Sequence, residues 1–334
     1  MCSSDLVAAR TLIPKFEFLQ FMSRPEQGLY YTPDEESFQK VYPSVSTPKI
    51  TFEKPGGRSV EEWFDDSRKG QSLRAESNET YDFAKIELES DRPICIGITG
   101  DWHLGAEIDN ELLETDINLI AEHPLVTGAF FMGDLTDSAN FNPAQDEDYY
   151  SYEEQRAMMT SILDYIGKDR VLAMWRGNHD HKWESKNGTS KYTGLSKKYD
   201  CPVFYGSSYI GLHLNDLHYN LMGSHRLRGN SIYTNAHPSV RGHKEVQNLD
   251  LTFAGHIHKR GVVQQPIREF NGSRMTHGVI TGTYERGSGY GRDSGFGKQR
   301  NEELGMYWAV FGHDKKYIQI MGTQEMVEFM GRYL

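Results

Sequence analysis

Cysteine is scarce. The chain has three in 334 residues, Cys2, Cys95 and Cys201. The number is odd, the spacing is wide and no CxxC occurs. That argues against a disulfide framework or a structural zinc site and fits free thiols in a reducing compartment. Long apolar runs are missing too. None approaches the roughly 20 residues that a membrane span needs. The opening stretch, MCSSDLVAARTLIPKF, has no basic start followed by an apolar run, so no secretory signal is expected. There is no Walker motif, no GxGxxG fingerprint and no internal repeat. Together these absences point to a cytosolic protein without a membrane partner.

Excess positive charge is also lacking. The formal charge is −11, which makes a poor non-specific nucleic-acid binder. The charge is uneven, however. Residues 1–165 carry 13 Lys and Arg against 32 Asp and Glu, a balance of −19. Residues 166–334 carry 23 against 15, a balance of +8. A basic half can attract phosphate locally.

What is present suffices for a large core, with 37% apolar residues and 25% charged ones. Residues 1–90 are rich in Pro, Ser, Glu and Gly, as in YYTPDEES and FEKPGGRS. They are expected to form an irregular extension, in part wrapped on the main domain, and they offer a site for a protein partner. Residues 91–334 read as the main domain. RPICIGITG, GAFFMG and RVLAMW are buried-strand runs, with helical spacing over 109–123 and 148–166 between them. Strand-like runs follow at PVFYGSSYIGLHL, HYNLMGS and DLTFAG. Helices alternate with strands first, and strands follow strands later. This predicts an α/β fold with two sheets packed as a sandwich. The Gly-rich stretch 282–297 reads as a long loop.

Five of these strands run directly into ligand-type residues. GDWHLG brings Asp101 and His103. GDLTD brings Asp134 and Asp137. GNHDH brings Asn178, His179, Asp180 and His181. HYNLMGS leads to His225, and DLTFAG to His256 and His258. In α/β sheets, groups at the carboxyl ends of strands converge on one crevice. His, Asp and Asn without Cys suit Mn²⁺, Fe²⁺, Zn²⁺ or Mg²⁺. These candidates are too many for one ion and suit two, sharing a bridging carboxylate. Such a pair polarises a phosphoryl oxygen and lowers the pKa of a bridging water.

The ordered set D101-W-H103, G133-D-L-T-D137, G177-N-H-D180, His225 and G255-H-I-H258 resembles the calcineurin-like metallophosphoesterase superfamily. The resemblance covers about residues 92–260 and implies a four-layer αββα sandwich with a dinuclear site, Mn²⁺ foremost. It implies Asp101, His103 and His258 on one metal, Asn178, His225 and His256 on the other, and Asp134 bridging. It implies that His179 stabilises or protonates the leaving oxygen, that Asp180 orients His179, and that Asp137 supports from behind. His237 and His243 are rivals to His225, since a lone His matches no distinctive string.

Serine/threonine phosphatases of this family show GDxxDRG and GNHE, where this chain has Ser138 and Asp180. DWHLG with GNHD is similar to the SbcCD-type DNA repair nuclease subunits, which suggests a bacterial or bacteriophage cytosol. Only about 75 residues follow GHIH, leaving little room for a DNA-capping domain. Lys182, Trp183, Arg226, Arg228 and Tyr290 are candidates to hold a nucleic-acid or nucleotide substrate. The expected activity is metal-dependent hydrolysis of a phosphodiester. A phosphomonoesterase and a non-catalytic scaffold are the alternatives.

Overall fold

The computed structural model of the protein describes residues 49–52, 82–137, 150–187, 192, 194–229, 231, 233–269, 272–287 and 301–331. The chain divides into two compact units, 45–326 and 1–44 with 327–334. Of the second unit only 327–331 are described.

The first strands, β1 (Lys49–Phe52) and β2 (Asp82–Leu88), come from the segment expected to be an irregular extension. They pair antiparallel, and β2 continues into a sheet of the main unit. The rest of 1–81 lies outside the described residues.

The apolar runs then become strands. β3 (Ile94–Thr99), β4 (Val126–Phe131) and β5 (Val171–Trp175) are buried at every position and parallel to one another. Strands buried on both faces have no reason to alternate, hence the continuous Val, Ile, Leu and Phe. Helix α1 (Asn110–Glu122) follows β3, capped by Asp109, whose Oδ1 accepts from Leu112 N at 3.1 Å. Helix α2 (Tyr152–Ile166) follows β4. Ser151 and Glu154 close a capping box at its start, satisfying the first free N–H groups. After β5 come α3 (Asn178–Asn187) and α4 (Leu195–Tyr199).

PVFYGSSYIGLHL, read as a strand run, is divided between two sheets. β6 (Val203–Phe204) pairs with β5, whereas β7 (Ser208–Leu214) pairs with β2. Tyr205, Gly206 and Ser207 make the crossing. β8 (Leu217–Ser224) returns beside β7 through a turn in which Asn215 has φ +53°. Then follow α5 (His237–Glu245), β9 (Leu251–Ala254), β10 (Gly261–Glu269), β11 (Gly272–Ile280), β12 (Tyr307–Phe311) and β13 (Ile318–Gly322).

The seven-stranded sheet has the order β1-β2-β7-β8-β9-β11-β10 and the six-stranded sheet β13-β12-β3-β4-β5-β6. One apolar core draws on both. Phe130 of β4 stacks on Phe253 of β9 with ring centroids 5.1 Å apart. Trp175 of β5 meets the same Phe253 edge-on at 5.4 Å, and its Nε1 donates to Ser208 Oγ at 2.8 Å. Tyr219 of β8 meets Phe311 of β12 at 5.1 Å. With α1 and α2 on the β4 side and α5 against β9 and β11, this is the expected α/β sandwich flanked by helices. No helix among the described residues is long and apolar enough to cross a membrane.

Candidate metal centre

The carboxyl ends of β3, β4 and β5 in one sheet, and of β8, β9 and β11 in the other, meet at one edge of the sandwich. Their next residues turn sharply. Asp101, His103, Asp134, His256 and His258 all have positive φ, between +48° and +74°. Non-glycine residues avoid this region, at a cost of about 1 kcal/mol or more each. Five of the eight such residues in the described chain therefore belong to the predicted ligand set. Close approach is enforced as well. A Cβ on Gly255 would come within 2.5 Å of Asp101 Oδ2, and one on Gly177 would overlap the Asp134 carboxylate. The motif glycines thus let backbone pass against the carboxylates.

The side chains converge in overlapping groups. Asp101, His103 and His258 present ligand atoms within 4.8 Å of one another; so do Asp134, His225 and His256. A third group, His103, Asp134 and His179, ties the first two together. Asn178 joins the second. One terminal atom of its carboxamide lies 2.9 Å from His225 Nε2, 2.5 Å from His256 Nδ1 and 3.3 Å from Asp134 Oδ2. Asp134 Oδ2 is also 3.2 Å from His225 Nε2.

These atoms suit a cation better than one another. His103 Nε2 and His258 Nε2 face each other at 3.1 Å. Asp101 Oδ1 is buried without a hydrogen-bond partner. Lone pairs turned on each other in a buried place, from His, Asp and Asn without thiolate, fit divalent metal ions.

Behind them, outer groups fix the rings. His103 Nδ1 bonds Asp137 Oδ1 at 2.7 Å. His225 Nδ1 bonds the Met132 carbonyl at 2.6 Å. His258 Nδ1 lies 3.2 Å from Glu285 Oε2. Each contact sets the tautomer and leaves Nε2 for the centre. Glu285 was missed by the sequence reading, because it stands in a stretch taken whole as a Gly-rich loop. Its signal was available: TGTYE follows an apolar strand, as the five motifs do. Thr283 belongs with it, its Oγ1 donating to the Asp101 carbonyl at 2.7 Å.

The electrostatics follow from these contacts. Burial works against the charged imidazoles, but the Asp137 hydrogen bond and the Glu285 charge raise His103 to about 9. Burial likewise opposes His258, which Asp101 and Glu285 raise to about 10. His225, buried beside Asp134, is raised to about 9. For His256, burial and the charge of His225 outweigh the nearby Asp101 and Asp134 carboxylates and push it down to about 4. Burial would raise the Asp134 carboxyl, yet His225 and His179 hold it well below its ordinary value.

Of the rivals to His225, His243 is held elsewhere, between Thr276 Oγ1 at 2.7 Å and the His277 carbonyl at 3.0 Å. His237 opens α5, and neither stands in a described ligand group. The ring of His179, which Asp180 was expected to orient, has its Nδ1 taken by the Asp137 carbonyl at 2.7 Å. Asp180 ties the turns together: its Oδ2 accepts from Gly177 N at 2.7 Å, Asp134 N at 3.2 Å and Tyr192 OH at 2.7 Å.

Among the substrate candidates, Trp183 stacks on Tyr152 with centroids 4.0 Å apart, so one ring face is covered by α2. Lys182, Arg226 and Arg228 are exposed. The charge of Arg226 reaches His256. Tyr290 lies outside the described residues, as do the rest of residues 288–300. The DWHLG wording has a packing explanation. Trp102 is buried edge-on to Phe131, Leu104 is buried, and a Cβ on Gly105 would overlap Gln155.

No family model matches the chain, and no curated protein matches it. Solved structures do. Vacuolar protein sorting 29 from Cryptosporidium parvum is 12% identical, with a TM-score of 0.33, over 69% of this chain and 98% of that one. A metallophosphoesterase from Sphaerobacter thermophilus is 10% identical, with a TM-score of 0.32, over 72% and 93%. The nuclease MPE of Pseudomonas putida is 14% identical, with a TM-score of 0.26, over 68% and 87%. Likenesses this distant carry nothing about chemistry, which rests on the side chains above.

Proposed function

We propose that this chain is a metal-dependent phosphoesterase of the calcineurin-like kind, hydrolysing phosphodiesters of nucleic acids or nucleotides. The observation that carries the reading is the overlap of the ligand groups: Asp134 belongs to two of the three, beside His103 in one and His225 in the other. That sharing suits two cations bridged by one carboxylate. Asp101, His103 and His258 would hold one, and Asn178, His225 and His256 the other. Bound there, such a pair polarises a phosphoryl oxygen and supplies a nucleophilic water at neutral pH.

The chain's own groups do the rest. His179 stands at the open side, its ring edge-on to His103 at 4.8 Å. Its Nδ1 is engaged by the Asp137 carbonyl, so Nε2 is the atom available to donate a proton to a departing oxygen. Asp137 serves twice, holding His103 through Oδ1 and His179 through its carbonyl. Exposed Arg226 and Arg228 on the His225 side would hold the phosphate of the substrate. Asp180, by pinning the Gly133 and Gly177 turns, keeps Asp134 and Asn178 in reach of each other.

The test is hydrolysis of bis-p-nitrophenyl phosphate against p-nitrophenyl phosphate, with Mn²⁺ and with EDTA, alongside Asp134→Ala. Diester turnover that needs both metal and Asp134 supports the reading. Preference for the monoester moves it to a phosphatase. No turnover on either, with metal bound, favours a scaffold.

A further inference from the structure

The crossing between the two sheets leaves an unusual group at the edge of this centre. Tyr205 is 49% exposed, one of few large apolar side chains in the described chain left in water to that degree. It is not loose. The Arg176 guanidinium lies over its ring, 4.7 Å from the centroid, and Arg176 N donates to the Phe204 carbonyl at 2.8 Å. Arg176 is also the residue before Gly177 and Asn178, so the same short turn carries a predicted ligand and the support of the tyrosine. On the other side, Ser207 Oγ donates to Ser224 Oγ at 3.3 Å, and Ser224 Oγ to the Arg226 carbonyl at 3.0 Å. Residues 205–207 are thus tied to the turn bearing His225 and Arg226. Next to Tyr205, a Cβ added at Gly206 would meet no atom within 4 Å among the described residues.

A guanidinium over one face of an aromatic ring fixes its plane and leaves the other face to accept a flat partner. Exposed Arg226, on the turn tied to this ledge, would favour an anionic ligand. A nucleotide joins a flat aromatic base to an anionic phosphate and so fits both. We infer that Tyr205, held by Arg176, is a nucleobase-stacking platform at the rim of the metal centre and selects nucleotide-bearing phosphoesters over bare ones. The inference rests on the phosphoesterase reading and deepens it. Such stacking tolerates any base, because every base has a π-face.

The experiment measures binding, so it does not depend on turnover. Adenosine 5′-monothiophosphate and inorganic thiophosphate are titrated by calorimetry into the full chain with Mn²⁺, for wild type, Tyr205→Ala and Tyr205→Phe. The nucleotide should bind wild type at least about tenfold tighter than thiophosphate, at the low end for a base–aromatic stack. Tyr205→Ala should erase that preference and leave thiophosphate affinity unchanged, while Tyr205→Phe keeps it. Equal affinity of wild type for the two ligands, or a preference that survives Tyr205→Ala, overturns the platform. A preference lost in Tyr205→Ala in a protein that hydrolyses no diester keeps the platform and removes the catalytic reading.

Discussion

His103 Nε2 and His258 Nε2 point at each other across 3.1 Å, each ring held from behind by a carboxylate, Asp137 and Glu285 respectively. Without metal, the two rings compete for protons at the same spot. Their pKa values, raised to about 9 and about 10, mean that protons are held there below that range. A cation must displace them. Metal affinity should therefore fall as pH drops from 9 to 6, by roughly tenfold per pH unit for each proton displaced. Calorimetry with Mn²⁺ at pH 6, 7 and 8, in buffers of differing ionisation enthalpy, would show proton release. Affinity that is flat across this range would falsify the assignment of these rings as ligands.

Glu285→Gln tests the contact that the sequence reading missed. The substitution keeps the shape but removes the charge that faces His258 Nδ1. The His258 pKa should drop from about 10, because Asp101 alone then opposes burial. Metal affinity should weaken about 10- to 100-fold, the usual effect of losing an outer partner of a ligand. NMR titration of the histidine together with Mn²⁺ binding measures both. If neither moves, Glu285 does not orient the ring.

The motif-bearing ends of β3, β4, β5 and β9 were legible because a largely apolar run leads through Gly into polar ligand atoms, whereas β8 alternates and reaches His225 through Ser224. A strand buried on both faces leaves no period to confuse, and the glycine marks the turn. The sheet partition was not legible. Val203–Phe204 and Ser208–Leu214 look like one run, yet only pairing with β5 and β2 decides which sheet each joins. Glu285 was hidden for a related reason. It reaches His258 because β11 runs parallel to β9 and so ends at the same edge. That register is a tertiary fact, which a lone Glu in a Gly-rich stretch does not announce. Tyr205 was hidden likewise, since its position follows from the crossing between sheets.

His179→Ala separates metal holding from proton transfer. His179 N donates to Asp134 Oδ1 at 2.9 Å through the backbone, and alanine keeps that bond. The variant should bind metal as wild type does. Turnover of an alkyl diester, whose leaving oxygen needs a proton, should fall about 10²- to 10⁴-fold. Turnover of the p-nitrophenyl diester, with a better leaving group, should fall less. An equal loss on both, with metal content reduced, would instead make His179 a ligand.

Asp116 supports the centre from a distance and carries a pH signature of its own. It is buried in α1 and accepts from Tyr284 OH at 2.6 Å and Thr323 Oγ1 at 2.6 Å. Tyr284 N in turn donates to the Asp101 carbonyl at 3.2 Å, so this carboxylate anchors the segment that carries Thr283 and Glu285. Burial outweighs the two hydroxyl bonds and raises Asp116 to about 6, from 3.8. The folded state therefore holds this proton more tightly than the unfolded one. The stability it contributes is complete below about pH 4 and is lost as pH rises through 6. At 1.36 kcal/mol per pK unit, the swing is of order 3 kcal/mol. Asp116→Asn removes the titration, so its stability relative to wild type should climb by that amount between pH 4 and 7. Urea unfolding of both proteins at four pH values in that window measures the difference. A constant difference across the window would mean that Asp116 is charged throughout, its two hydroxyl donors outweighing burial.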